Sequence, residues 1–157
     1  LLATLAFLAL GWVSFDGALE RREDPNRNLV VAPGASELVL QRNRAGHYLL
    51  PGEINGRPVR LLLDTGATQV SVPARLAAEL GLQAGAPASV LTANGAVTVR
   101  QTRIPRLAFG PFEFRDVAGH LNPGMQGDEV LLGMSALRHL EFTQRGDTLT
   151  LRAPGSG

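Results

Sequence analysis

Residues 58–63 read PVRLLL and run straight into Asp64-Thr65-Gly66. No other stretch constrains the fold as tightly. A near-continuous apolar run of this length is the pattern of a strand covered on both faces. It ends, however, on a carboxylate, a group seldom buried unless it is paired or hydrogen-bonded. The following residues show how the acid can be tolerated. Thr65 and Thr68 bring hydroxyls, and Gly66 allows close backbone approach. A turn of this kind can aim its own N–H groups at the Asp64 side chain. Taken alone, the triplet fits equally well an Asx-type turn at a strand end.

The rest of the chain has the texture of many short strands. Its 157 residues amount to about one domain. With 18 Gly and 10 Pro against few aromatics, turns are favoured over long helices. Short apolar runs begin near Glu37. Strands are predicted at 37–40 and 47–50 around residues 43–46, then at 58–63, 69–72, 89–93, 96–100, 106–109, 112–117, 129–132, 141–144 and 148–152. Asn55-Gly56 and Asn94-Gly95 are two-residue hairpin signals with left-handed backbone preference. Gly110-Pro111 and Arg145-Gly146-Asp147 mark further turns. Helical character is confined to 73–80 and 135–140. In the first, Pro73 fits the opening position, Leu76 and Leu80 share a face, and Gly81 falls just past the end. The fold class is therefore all-β with one or two short helices, and no internal repeat is visible.

Several function classes are excluded or disfavoured. Net charge is +1, every basic residue is Arg, and carboxylates lie among them, so nucleic acid is not expected as a partner. The absence of cysteine removes disulfides, thiolate metal sites and cysteine nucleophiles together. His47, His120 and His139 are isolated in sequence and read as surface or structural residues, with no metal-ligand spacing. Phosphate-binding glycine loops are missing. Ser71 matches no nucleophile elbow, and Met125 and Met134 read as packing residues. Neither a metal nor a cofactor is expected.

The sequence starts on Leu1 rather than Met, so a preceding segment is expected. Residues 1–15 are uncharged and mostly apolar, but fall short of the roughly 20 residues that span a bilayer. A partial transmembrane anchor is the preferred reading. The apolar part of a signal peptide and a core helix are the alternatives. Trp12 suits a membrane interface. Ala9-Leu10-Gly11 lies inside the run rather than after it, which weighs against a cleavage site. Residues 16–36 are charged, contain Pro25 and read as a solvated linker. Arg21, Arg22 and Arg27 favour a cytoplasmic flank only weakly, because the other flank is not visible. The folded domain is placed at 37–153 and a tail at 154–157.

Taken together, three features resemble the retropepsin-like aspartic proteases. The first is LLLDTGAT at 61–68. The second is an apolar pair followed by Gly in LLGMSAL at 131–137. Between them lies the Asn94-Gly95 hairpin, in the order expected of that family's flap. The wording is most similar to bacterial single-domain, membrane-anchored members, through GHY at 46–48, INGRPV at 54–59, TANG at 92–95 and LLGMS at 131–135. The resemblance covers about 46–152. Leu63 departs from the branched residue common there, a small change because Leu is apolar too.

The resemblance implies an acid-protease half-barrel with a flap hairpin. Asp64 would be the catalytic aspartate, Thr65 would brace the paired loops across a subunit interface, and Gly66 would keep those loops close. Thr92, Ala93, Asn94 and Gly95 would form the flap tip over a bound peptide. Ala67, Thr68, Leu131, Leu132 and Gly133 would support the site. The chemistry needs two carboxylates, one acting as base on a water and one, protonated, polarising the scissile carbonyl. The chain supplies one. Asp116, Asp128, Glu129 and Asp147 lack a following Thr-Gly, and none is a good second half-site. The expected active species is thus a homodimer acting on polypeptides, with a membrane tether raising the effective concentration of chains. The expected location is a bacterial inner membrane with the catalytic domain on the periplasmic side. A non-catalytic module of the same fold, binding peptide or assembling at the membrane, is the alternative. A structural envelope protein is a third class.

Overall fold

Turn chemistry and alternation set the strands. The computed structural model describes residue 19 and residues 21–155. The apolar run at 1–15 lies outside the described residues. Among those described, no helix is long and apolar enough to cross a membrane. Ten strands form among them: β1 (Glu37–Gln41), β2 (Leu49–Ile54), β3 (Arg57–Leu63), β4 (Val70–Pro73), β5 (Pro87–Thr92), β6 (Gly95–Phe109), β7 (Phe112–Asn122), β8 (Glu129–Leu132), β9 (Glu141–Arg145) and β10 (Thr148–Arg152).

The Asn55-Gly56 signal acts as its chemistry requires. Both residues take positive φ, 51° and 76°, and Ile54 faces Arg57 across a two-residue turn. The second Asn-Gly hairpin forms one residue earlier than predicted. Thr92 pairs with Gly95, so Ala93 and Asn94 make the loop and Gly95 leaves it at φ 107°. The Thr92 hydroxyl explains the shift. It accepts the Asn94 N–H at 3.2 Å and donates to the Gly95 carbonyl at 2.8 Å.

Six strands in the order β2-β3-β8-β4-β7-β6 close into a barrel. The closing contact pairs β2 with β6 at Glu53–Ala108 and Ile54–Leu107. β5 extends from β6 beyond the barrel, and β1-β10-β9 form a separate small sheet. Both sheets feed one core, with Leu50, Ile54, Leu61, Val72, Ile104 and Leu107 from the barrel meeting Leu40 and Leu151 from the small sheet. β8 lies between β3 and β4, parallel to the first and antiparallel to the second. The chain therefore leaves β3, turns through residues 64–69 and returns as β4 with β8 inserted between them. This topology carries Asp64 over the end of β8.

Four local expectations are corrected. Strands 37–40 and 47–50 do not pair around 43–46, because β1 pairs with β10 and β2 with β3. Runs 96–100 and 106–109 belong to one long strand, β6, which joins the outer hairpin to the barrel wall. The helix predicted at 73–80 is a short 3-10 turn, Ala74–Leu76, followed by further turns. Pro73 is spent as the last residue of β4, opposite Asn122, so only a brief helical path remains before Gly81 at φ 68°. Finally, β3 is not covered on both faces. Leu61 is fully buried, whereas Leu62 and Leu63 are half-buried, with Leu63 against the core and Leu62 on the opposite face.

The segment expected as a solvated linker is docked over its described part. Asn26 is only 3% exposed. Its side chain donates to the carbonyls of Gln41 at 2.9 Å and Leu49 at 2.8 Å, and accepts the Gln41 N–H at 2.8 Å. An amide thus takes the place of a neighbouring strand at the end of β1. Asp24 pairs with Arg60 of β3, while Leu29 and Val31 pack on the core. The high charge of this segment hides groups that are satisfied by partners far along the chain.

Candidate active site

The Asp64 loop is built from the end of β3. Leu63 and Leu132 are register partners, and the Asp64 N–H continues the ladder to the Leu132 carbonyl at 3.1 Å. The chain then tightens. Gly66 N–H donates to Asp64 Oδ1 at 2.9 Å, and Ala67 N–H to the Asp64 carbonyl at 3.2 Å. This is an Asx turn. The structural and the catalytic readings of the triplet therefore describe one geometry, in which the turn orients the carboxylate.

The protein side of the loop is pinned. Met134 N–H donates to the Ala67 carbonyl at 2.8 Å, and Ser135 N–H to the Thr68 carbonyl at 2.9 Å. Ser135 Oγ accepts the Val70 N–H at 3.0 Å and donates to the Ala118 carbonyl at 2.7 Å. Gly133 lies directly beneath. A Cβ there would sit 2.2 Å from the Gln69 carbonyl oxygen and 2.8 Å from that of Ala67. Leu132 is fully buried alongside. Leu132 and Gly133 thus pack against the protein side of the loop. Ser135, expected as part of the LLGMS run and as the start of a short helix, carries more of the hydrogen bonding. Its signal was a lone hydroxyl in an apolar run at a helix start. Ser135→Ala is expected to lower unfolding free energy by about 1–3 kcal/mol, because the buried Val70 N–H and the partly buried Ala118 carbonyl lose the hydroxyl. Urea unfolding measures it, and an unchanged midpoint would contradict this assignment.

The solvent side of the same loop is open. Asp64 is half-buried, and Thr65, Gly66 and Thr68 are exposed. Asp64, Gly66, Ala67 and Thr68 line a groove of about 1020 Å³ whose other wall is the β5–β6 hairpin, through Thr92, Ala93 and Asn94. Leu131 also lines it, and Gly95 stands at the exit of the hairpin loop. Leu91 on that hairpin is 87% exposed, an apolar side chain with nothing over it in the single chain.

His120 and Ser71 also line the groove, although in sequence they read as an isolated histidine and an unremarkable serine. Burial pushes the His120 imidazole below its ordinary value. The pairing of β7 with β4 and β6 brings these groups into the site, and that pairing is not readable from spacing alone. The other acids lie elsewhere. Asp116, Asp128 and Asp147 are exposed and face Arg103, Arg75 and Arg42 respectively. The hydrogen bond from Arg103 holds the Asp116 carboxyl below the usual range. Among the described residues, no three His, Cys, Asp or Glu gather to hold a metal.

A closed small barrel with one Asp-Thr-Gly loop facing a groove under a hairpin defines a class, the retropepsin-like aspartic-protease fold. The chain belongs to a particular family within it: residues 50–139 match the model described as gag-polyprotein putative aspartyl protease. The crystal structure of a retropepsin-like aspartic protease from Rickettsia conorii matches with TM-score 0.63 and 29% identity, over 74% of this chain and 90% of that one. An uncharacterized protein of a Sinorhizobium species is 31% identical over 137 residues, covering 82% of this chain and 58% of its own length. Another, from Rickettsia prowazekii, is 28% identical over 108 residues, 67% of this chain and 46% of its own length. The chain therefore spans about half the length of the curated relatives it matches.

Proposed function

We propose that this chain is one half of an aspartic endopeptidase, completed when a second copy sets its own Asp64 beside the first. The observation that carries this reading is the two-sidedness of the loop at 64–69. Its protein side is fixed by hydrogen bonds with Leu132, Met134 and Ser135, while Thr65, Gly66 and Thr68 present an open face. In the pair, one carboxylate takes a proton from a water as that water attacks the scissile carbonyl. The other, protonated, donates a hydrogen bond to the carbonyl oxygen. Collapse of the tetrahedral adduct then breaks the C–N bond, and the departing amine takes a proton from the pair. Two carboxylates about 3 Å apart cannot both ionise, so the pair carries the single proton this cycle needs. That is the known behaviour of aspartic-protease dyads in general. The β5–β6 hairpin covers the bound peptide.

The reading extends to location: a tether at residues 1–15 in a bacterial inner membrane, with the catalytic domain outside, supported by the uncharged apolar run. A C-terminal reporter fusion tests it. The test of function is sedimentation combined with peptide-library cleavage over a range of protein concentrations. Specific activity should rise with the dimer fraction. Peptide binding without cleavage in fully dimeric protein would instead identify a binding module.

A further inference from the structure

Strand register arranges the floor of the groove. Leu62 of β3 faces Leu131 of β8, Leu131 faces Ser71 of β4, Ser71 faces His120 of β7, and His120 faces Gln101 of β6. Register partners share a face of the sheet, so these side chains form one row across five strands. Leu131, Ser71, His120 and Gln101 all line the groove. The row is apolar at the end nearest the strand that carries Asp64 and polar at the other end.

We infer that the Ser71–His120–Gln101 end of this row is a specificity subsite for a neutral hydrogen-bonding side chain (Asn, Gln, Ser or Thr) flanking the scissile bond of the peptide. The inference rests on the proteolytic reading of the groove, because the scissile bond is placed at Asp64. His120 lies two strands beyond Leu131 and so reads a flanking residue rather than the cleaved pair.

Three observations carry it. Ser71 is 3% exposed, yet its hydroxyl points to the Met125 thioether, 3.2 Å away, a weak acceptor. A buried hydroxyl with so poor a partner gains from a better one. His120 is half-buried, and because burial lowers its proton affinity, the ring is neutral at neutral pH and offers one donor and one acceptor. Among the described residues lining the groove, Asp64 and His120 are the titratable ones, with no Arg or Glu. A substrate carboxylate would find no cation there and would meet the charge of the Asp64 pair. A substrate cation would find no acid besides that pair. An apolar side chain would leave the imidazole unpaired and the hydroxyl with the thioether as its weak partner, a mismatch that polar sites disfavour.

The test uses the full chain and peptides identical except for Asn or Leu at each position flanking the cleaved bond. At one flanking position the wild type should favour Asn over Leu by about 10-fold or more in kcat/KM. His120→Leu should erase or invert that ratio, and His120→Gln, which keeps a donor and an acceptor, should retain it. An unchanged ratio in His120→Leu would overturn the subsite while leaving proteolysis standing. A second arm records the His120 ring resonances in Asp64→Asn protein, which is not expected to cleave, while the same peptides are added. The Asn peptide should shift them and the Leu peptide should not. If the wild type cleaves nothing, the proteolytic reading fails, and this arm still decides the floor: equal shifts, or none, would overturn the proposed preference.

Discussion

Replacing Asp64 with Asn is expected to lower kcat/KM for peptide hydrolysis by about ten-thousand-fold or more, the scale seen when a group essential to the chemistry is removed. An amide cannot take a proton from water, and the Asn–Asn pair of the mutant dimer has no acidic proton to deliver to the carbonyl or the leaving amine. Folding should persist. The side-chain hydrogen bond of Asp64 within the loop is acceptance of the Gly66 N–H at Oδ1, 2.9 Å, and the Asn side-chain oxygen can take that bond. The unfolding free energy should therefore change by less than about 1 kcal/mol. Cleavage and urea unfolding measured on the same preparation separate the two effects. Cleavage at the parental rate would remove Asp64 from the mechanism.

Gly133→Ala is expected to have the opposite profile, with stability lost first. The added Cβ would fall 2.2 Å from the Gln69 carbonyl oxygen, 2.6 Å from its carbon and 2.8 Å from the Ala67 oxygen. These are backbone atoms of the loop, so no flexible side chain can yield. Either the loop lifts away from Met134 and Ser135, losing the hydrogen bonds at 2.8 and 2.9 Å, or β8 shifts inside the barrel. We expect a loss of about 3 kcal/mol or more, at the upper end of overpacking effects. That corresponds to a fall of roughly 10 °C in Tm for a domain of this size. Activity should fall as well, because Asp64 sits on the displaced loop. A near-parental Tm would show that the loop does not rest on Gly133.

These two residues also show what the sequence made legible. Asp64-Thr65-Gly66 could be read because its chemistry is local: an acid, a hydroxyl and a glycine within one turn. The same holds for the Asn55-Gly56 turn and for β8, whose ends were predicted to the residue. Gly133 was legible as part of a motif, but its reason, contact with a loop some 65 residues earlier in the chain, depends on β8 lying between β3 and β4. Asn26 was missed for a similar reason. A polar residue in a charged stretch looks solvated until Gln41 and Leu49 are seen around it. His120 and Ser71 needed the pairing of β7 with β4 and β6, which spacing does not give. The turn at Asn94-Gly95 slipped by one residue because the Thr92 hydroxyl competed with the Asn-Gly preference. The helix at 73–80 shortened because its first residue was already committed to a strand.

If two chains share one catalytic pair, a chain with a dead site should inactivate its partner on mixing. A fixed amount of parental chain is combined with an equal amount of Asp64→Asn chain, allowed to exchange, and assayed for cleavage. With random pairing, about half of the parental chains enter inactive mixed dimers, so activity per parental chain should fall to about one half, and lower still with more mutant. Activity that stays constant however much mutant is added, under conditions where sedimentation shows exchange, would mean that each chain works alone and would overturn the shared pair.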